Sequence, residues 1–276
     1  GKTGAELTAL GFGAWPIGGS KYGDVSEQDA IETIEAYLDA GGTHIDTARG
    51  YAKSEYYLGK VLGRGGRDKV FLASKTHASA GLETIPQIRV DLEESLRLLQ
   101  TDYLDLYYLH RPPDDPEVMN RVLDEFEALK NEGKIRSIGA SVKGPDVTEK
   151  TGMLCRQYID SGRVDALEVV YSILRQMNGD VFDYAREKGV GIIARTAIES
   201  GFLSGKYKSG HVFGEGNPLD HRNRWNPEGR DQIFEMVADM KTFAIRPPYE
   251  NLAQVAIRFA MEPAGVTSLI IGARNV

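Results

Sequence analysis

Four polar side chains near the ends of predicted strands could together transfer a proton to a carbonyl oxygen. They are Asp46 at the end of HID, Tyr51 five positions later, Lys75 in LASKT and His110 at the end of YYLH. A nearby ammonium group stabilises a phenolate, and a carboxylate keeps the ammonium group in place and charged. Since a free phenol has a pKa of about 10, we expect Lys75 to lower the pKa of Tyr51. A histidine beside them can orient the carbonyl oxygen or pass on a proton.

A polarised carbonyl group also needs a nucleophile, and the sequence indicates that a bound cofactor supplies it. No Ser–His or Cys–His pair is evident, so a hydride donor is the natural candidate. The five histidines, at positions 44, 77, 110, 211 and 221, show no metal-ligand spacing, and we predict no metal site. This disfavours the alternative of an unrelated metal-dependent barrel enzyme, which a metal analysis would test.

The segments that position these side chains alternate between short apolar stretches and longer amphipathic ones. Strands are predicted at 8–15, 43–48, 69–76, 102–110, 134–142, 165–174, 190–197 and 266–273. Helices are predicted at 26–40, 54–63, 84–100, 117–133, 146–161, 179–189, 231–243 and 249–262, with a long loop at 198–230. No hairpin turn joins two strands, which is the pattern of a parallel closed barrel. We predict an α/β fold, a (β/α)8 TIM barrel in a single domain spanning residues 1–276.

Chemistry in such barrels lies at the C-terminal ends of the strands. Besides the first four residues, that end carries Ser141, Glu168 and Arg195. A single Asp–Lys pair, histidine or loop tyrosine usually has a structural role. Their convergence on one rim of the barrel favours a functional site.

Composition and charge restrict the partners and the compartment. The formal net charge is −7, and Lys and Arg are scattered rather than clustered, so we predict no nucleic acid and no anionic membrane surface as partner. No apolar run is long enough to span a membrane. The single cysteine, Cys155, fits a reducing compartment, and we predict a cytoplasmic monomer or weak homo-oligomer.

The end of the sequence carries a further expectation. The chain starts just before its first predicted strand and stops at Val276, directly after the eighth. A helix is needed to cover the outer face of that strand. We therefore expect the natural protein to extend beyond these residues.

The stretch DTARGYAKSEYYLG resembles the signature of the aldo-keto reductase family. The resemblance continues in order through GFGAW, LASKT, YYLHRP, GKIRSIGAS, ARTAIESGFLSGKY and IIGARN, and so covers nearly the whole chain. It implies a (β/α)8 barrel that binds a nicotinamide cofactor, usually NADPH, in an extended form without a Rossmann motif. Indeed Pro16 stands where GxGxxG would need its third glycine.

The resemblance also implies roles for individual residues. The catalytic residues would be Asp46, Tyr51, Lys75 and His110, with Tyr51 donating the proton. The cofactor would be bound by Ala14, Trp15, Asp46, Ser141, Glu168, Arg195, Ile198, Ser200, Lys206, Gly272, Ala273 and Arg274. Trp15 would line the pocket for a small carbonyl or alcohol substrate. Apart from the resemblance, Arg111, Arg49 and Lys53 could line the rim of this pocket and would suit a polar or anionic substrate.

Three departures from the family pattern affect the cofactor. Val142 follows Ser141 where a polar residue is common, and Glu168 replaces the glutamine that binds the carboxamide. The segment that grips the adenosine 2′-phosphate is cut off at Val276, so NAD is not excluded as the cofactor. A regulatory subunit that binds the cofactor without turnover is the alternative to an enzyme, and an assay with generic aldehydes separates the two.

Overall fold

Eight parallel strands form a closed barrel in the part of the chain that the computed structural model describes, which is residues 1–19, 21–78, 81–142, 148–216, 220–224 and 226–276. The strands are β1 Leu10–Gly13, β2 His44–Asp46, β3 Phe71–Thr76, β4 Leu106–Leu109, β5 Ile138–Ser141, β6 Ala166–Val170, β7 Gly191–Arg195 and β8 Val266–Ile271. Each strand pairs with the next along the chain, and β8 closes the barrel against β1. The predicted (β/α)8 fold is confirmed.

Helices follow the strands and carry apolar side chains onto the outside of the barrel. They are α1 Glu27–Asp39, α2 Ser54–Leu62, α3 Ile85–Leu99, α4 Pro116–Asn131, α5 Glu149–Asp160, α6 Phe182–Glu187, α7 Pro227–Ala244 and α8 Leu252–Met261. Side chains cap several of their N-termini; Ser26, for example, accepts a hydrogen bond from the backbone N–H of Asp29.

Two predicted helix boundaries differ from the structure, and a third cannot be compared with it. Helix α6 is shorter than 179–189, because a tight 3-10 turn over Met177–Val181 takes the place of its first turn. Helix α7 begins before 231, since the side chain of Asn226 caps it. The start of the predicted helix 146–161 falls on residues 143–147, which lie outside the described residues.

The segment between β7 and α7, predicted as a plain loop, contains short 3-10 turns at Glu199–Ser204, Phe213–Gly216 and His221–Arg224. It has an apolar anchor of its own, in which Phe202 and Phe213 pack against Phe234 of α7. The anchor holds this segment over the C-terminal rim of the barrel.

Candidate active site

Lys75 lies at the centre of the site, fully buried inside the barrel. Its Nζ donates hydrogen bonds to Asp46 Oδ1 and to the backbone oxygen of Thr47, the latter at 3.0 Å. Its Nζ also forms an ion pair with Glu168 Oε2 at 3.1 Å. Strand β6 is not adjacent to β2 or β3, so this second ion pair crosses the barrel interior. One ammonium group therefore binds two carboxylates, each only 1% exposed.

Tyr51 lies on the loop between β2 and α2, beside Lys75. The Nζ of Lys75 is 5.3 Å from the centroid of the Tyr51 ring. The ring stacks on Trp15 at 5.8 Å and meets His110 edge-on at 5.7 Å. The structure thus brings the four predicted catalytic residues together, with Trp15 beside them.

Buried polar contacts hold the loop that carries Tyr51. Arg49 pairs with Glu55, and the same carboxylate accepts a hydrogen bond from Ser74 Oγ at 2.7 Å. Arg49 therefore anchors the loop to strand β3, whereas the sequence suggested it as a rim residue open to substrate. Only glycine fits at position 18, because a Cβ there would lie 2.0 Å from the backbone oxygen of Tyr51.

The protonation of the site differs from the expectation at one residue. Burial raises the pKa of Tyr51 to about 12, and the opposing influence of Lys75 only partly offsets it. Burial acts to lower the pKa of Lys75, but Asp46 and Glu168 together raise it above its ordinary value. Burial, with Lys75 nearby, lowers the pKa of His110 to about 2. At neutral pH the site therefore holds a protonated phenol, a charged lysine and a neutral imidazole.

Glu168 is the member of the site whose contacts the sequence did not predict. Besides Lys75 it binds Arg195, whose Nε lies 3.1 Å from Oε1, and it accepts a hydrogen bond from Ser141 Oγ at 3.0 Å. Burial acts to raise its pKa, but Lys75 and Arg195 outweigh burial and lower it. Glu168 is therefore ionised. The available signal was a charged residue in the middle of the otherwise apolar strand ALEVV.

A cavity of about 1060 Å³ opens above these residues. The predicted site residues that line it are Trp15, Asp46, Tyr51, His110, Arg111, Glu168, Arg195, Ile198, Ser200, Lys206, Gly272, Ala273 and Arg274. Ala14 and Ser141 are buried beside it instead. Ala14 donates its backbone N–H to the backbone oxygen of Asp46. Ser141 donates a hydrogen bond to Glu168, which itself lines the cavity.

Two loops meet across the mouth of this cavity. The ring of His221 packs between Trp15 and Tyr22, at 4.9 and 4.2 Å, and its Nε2 is 2.8 Å from Ser200 Oγ. Arg274 donates to the backbone oxygen of Tyr22 at 2.5 Å. Sequence reasoning missed both residues, because no periodic pattern marks the segment before α1, which carries Tyr22, or the long segment before α7, which carries His221.

The cavity suits an extended dinucleotide by its size and by its charges. Its volume is at the upper end for small-molecule sites. Lys206 and Arg274 supply cations along the wall formed by the ends of β7 and β8, where phosphate groups would be favoured. Within the described residues, no group of three or more His, Cys, Asp or Glu side chains is placed to hold a metal ion. No helix in that part of the chain is long and apolar enough to cross a membrane.

The sequence matches the model of the Aldo/keto reductase family over residues 9–276. Aldo-keto reductase YhdN of Bacillus subtilis is 31% identical over 294 residues, covering 99% of this chain and 83% of that protein. The NADH-specific methylglyoxal reductase of Escherichia coli is 27% identical, with coverages of 99% and 88%.

Solved structures resemble the barrel over nearly its whole length. Aldo-keto reductase AKR11C1 of Bacillus halodurans, in its holo form, superposes with a TM-score of 0.74 at 25% identity, covering 98% of this chain and 83% of that one. Glycerol dehydrogenase AKR11B4 of Gluconobacter oxydans gives a TM-score of 0.77 at 23% identity, with the same coverages. The second likeness bears on the fold alone.

Proposed function

We propose, because this chain belongs to the aldo/keto reductase family, that it transfers a hydride between a nicotinamide cofactor and the carbonyl carbon of an aldehyde or ketone. Tyr51 is the general acid of this reaction. The observation that carries the proposal is that Tyr51, Asp46 and His110 line one cavity, with the buried Lys75 in contact with Asp46 and beside the Tyr51 ring.

When bound, the cofactor supplies the hydride, and the protein's own residues manage the proton and the geometry. Tyr51 keeps its proton at neutral pH, since its pKa is raised to about 12, and gives it to the carbonyl oxygen as negative charge develops there. Lys75 compensates the phenolate that remains. Asp46 and Glu168 hold Lys75 in place. The neutral ring of His110 can orient the carbonyl oxygen by a hydrogen bond.

Lys206 and Arg274 would hold the phosphates of the cofactor, and Arg195 would lie against its nicotinamide ring. NADPH is the expected cofactor, and NADH is the alternative because the Escherichia coli relative is named NADH-specific. The substrate would enter between Trp15, His110 and Arg111, which face the cavity beside Tyr51.

The substitution Tyr51→Phe tests the proposed function because it removes one hydroxyl and keeps the ring. General acids contribute roughly 10²–10⁴-fold to a rate, so we expect single-turnover reduction of an aldehyde by prebound NADPH to slow by that factor. Cofactor affinity should stay near normal, because the phenol acts in the transition state. A variant with the wild-type rate of hydride transfer would contradict the role of Tyr51. A wild-type protein that binds NADPH but reduces no aldehyde or ketone would instead indicate a regulatory barrel.

A further inference from the structure

Glu168 and Lys75 form a contact that proton donation by Tyr51 does not by itself require. One carboxylate, Asp46, already binds the ammonium group. The second carboxylate reaches Nζ at 3.1 Å from across the barrel, and its other oxygen pairs with Arg195 at 3.1 Å. These four side chains form a continuous ionic chain inside the barrel, in which two carboxylates balance two cations.

We propose that Glu168 is a positioning residue that shares Lys75 with Asp46 and so limits the positive charge that Lys75 presents to Tyr51. The inference rests on the proposed function of Tyr51. Two buried carboxylates on one ammonium group weaken its field at a third neighbour, because their charges are opposite in sign to that of the ammonium group. The phenol therefore binds its proton more tightly than it would beside an Asp46–Lys75 pair alone.

The charged groups around Tyr51 act in opposite directions. After burial, Lys75 acts to lower the pKa of Tyr51, Glu168 and Asp46 act to raise it, and Arg195 acts to lower it. The guanidinium group of Arg111 lines the same cavity and is unchanged in every variant compared. Two further titratable neighbours carry no charge at neutral or alkaline pH. His110 is neutral because its pKa is lowered to about 2 by burial, and burial raises the pKa of Tyr108 well above its ordinary value.

Lys75 has one more titratable neighbour, His44, which is also neutral because burial lowers its pKa to about 4. Glu168 is ionised where Tyr51 titrates, because Lys75 and Arg195 outweigh burial and lower its pKa, whereas burial and the neighbouring Glu168 raise the pKa of Asp46. Removing the charge of Glu168 therefore removes a full negative charge from the surroundings of Tyr51.

The proposal predicts shifts of opposite sign for two substitutions. Glu168→Gln should lower the titration midpoint of Tyr51 by about one pH unit, because Lys75 and Arg195 then act on the phenol with less compensation. Arg195→Gln should raise that midpoint for two reasons. It removes a cation near Tyr51, and it leaves Lys75 as the cation that compensates the negative charge of Glu168. The double variant should return towards the wild-type midpoint, because both charges are gone.

The measurement is the ¹³C resonance of labelled tyrosine Cζ in the protein without cofactor, followed against pH, with the Tyr51 signal assigned by its loss in Tyr51→Phe. Ser141→Ala is the matched control, because it removes the 3.0 Å hydrogen bond to Glu168 without changing any charge. Its Tyr51 midpoint should stay within about 0.3 pH units of wild type. A structural disturbance alone would not move the two charge variants in opposite directions.

The pH dependence of alcohol oxidation gives the second readout, because that direction needs the deprotonated phenol. Its midpoint should move with the Tyr51 resonance in each variant. An unchanged or higher midpoint in Glu168→Gln overturns the proposal. If that variant does not fold, Arg195→Gln decides, and an unchanged or lower midpoint there overturns it too. Loss of activity in Tyr51→Phe alongside unmoved midpoints would reject the role of Glu168 and leave the function of Tyr51 intact.

Discussion

The two ends of the barrel both bury carboxylates beside cations, but they use them differently. At the N-terminal end, Asp105 Oδ2 accepts from Arg67 at 2.8 Å and from the backbone N–H of Leu72 at 3.0 Å, while Oδ1 accepts from Arg136 at 3.0 Å. Both of its oxygens are satisfied. At the C-terminal rim, among the described residues, Asp46 Oδ2 is buried without a hydrogen-bond partner.

A second aspartate repeats the arrangement of the N-terminal end. Asp165 Oδ2 accepts from the backbone N–H of Ile138 at 2.9 Å and from Lys130 at 3.0 Å. Each of these carboxylates binds the N–H of the neighbouring strand, and so fixes the register where two strands begin. No cofactor or substrate is needed to complete them.

The difference separates stability from function in physical terms. A buried polar group costs free energy unless it is hydrogen-bonded, and both oxygens of Asp105 avoid that cost. The rim leaves donors and acceptors open around the cavity, including Nδ1 of His110, which has no partner within the described residues. Open positions of this kind can be satisfied by a ligand, at some expense to the stability of the empty protein.

Of the substitutions considered, Lys75→Met should have the largest effect, which is a loss of activity. The phenol would lose the cation that stabilises its anion, and Asp46 and Glu168 would lose their shared partner. We expect single-turnover aldehyde reduction to slow by roughly 10²–10⁴-fold. Because Tyr51 and Lys75 act on one proton, the double variant with Tyr51→Phe should be little slower than either single one. Additive losses in the double variant would contradict this coupling.

Asp105→Ala should lower the stability of the protein and leave its activity unchanged, the opposite of the result expected for Lys75→Met. It removes the acceptor of the Leu72 N–H and the carboxylate that pairs with Arg67 and Arg136, which typically costs roughly 2–4 kcal/mol. Urea unfolding measures the loss, and kcat per folded molecule should remain that of wild type. Tyr51→Phe is the matched control, with lost activity and a nearly unchanged free energy of unfolding. A comparable drop in kcat for Asp105→Ala would show that the two ends are not independent.

The sequence predicted which residues lie at the C-terminal rim, but it did not predict all of the contacts between them. Asp46 and Lys75 were paired correctly because they lie on neighbouring strands, whose order follows from the alternation of strands and helices. The contact of Glu168 with Lys75 could not be predicted, because it joins non-adjacent strands across the interior and depends on barrel diameter and tilt. His221 was missed for a different reason, since it comes from an aperiodic segment whose course is set by the packing of Phe213.

His44 belongs to the N-terminal end of the barrel, and it makes the stability of that end depend on pH. It is fully buried at the start of β2, and its Nδ1 is 2.9 Å from Ser268 Oγ. Burial lowers its pKa to about 4, below the ordinary value of about 6.5, so the unfolded chain takes up this proton first as pH falls. The stability that depends on a neutral His44 is present above pH 6.5 and is lost as pH falls towards 4.

The loss should reach about 3 kcal/mol at pH 4, and His44→Gln should remove it. Urea unfolding of both proteins at pH 7 and at pH 4 measures the difference. His110 also resists protonation, so acid destabilisation should remain in the variant but be smaller. Equal losses in wild type and variant would indicate that His44 becomes protonated without cost.

Glu168→Gln should have the smallest effect, on the balance between the two forms of the cofactor. In the wild-type protein, Glu168 compensates the guanidinium group of Arg195, beside which we place the nicotinamide ring. The oxidised ring is cationic and the reduced ring is neutral, so an uncompensated Arg195 disfavours the oxidised form. We expect NADP⁺ to lose about tenfold more affinity than NADPH, which is about 1.4 kcal/mol.

Quenching of tryptophan fluorescence measures both dissociation constants. Ser141→Ala, which changes no charge, should alter the two constants equally, and equal changes in Glu168→Gln would mean that its charge does not reach the ring.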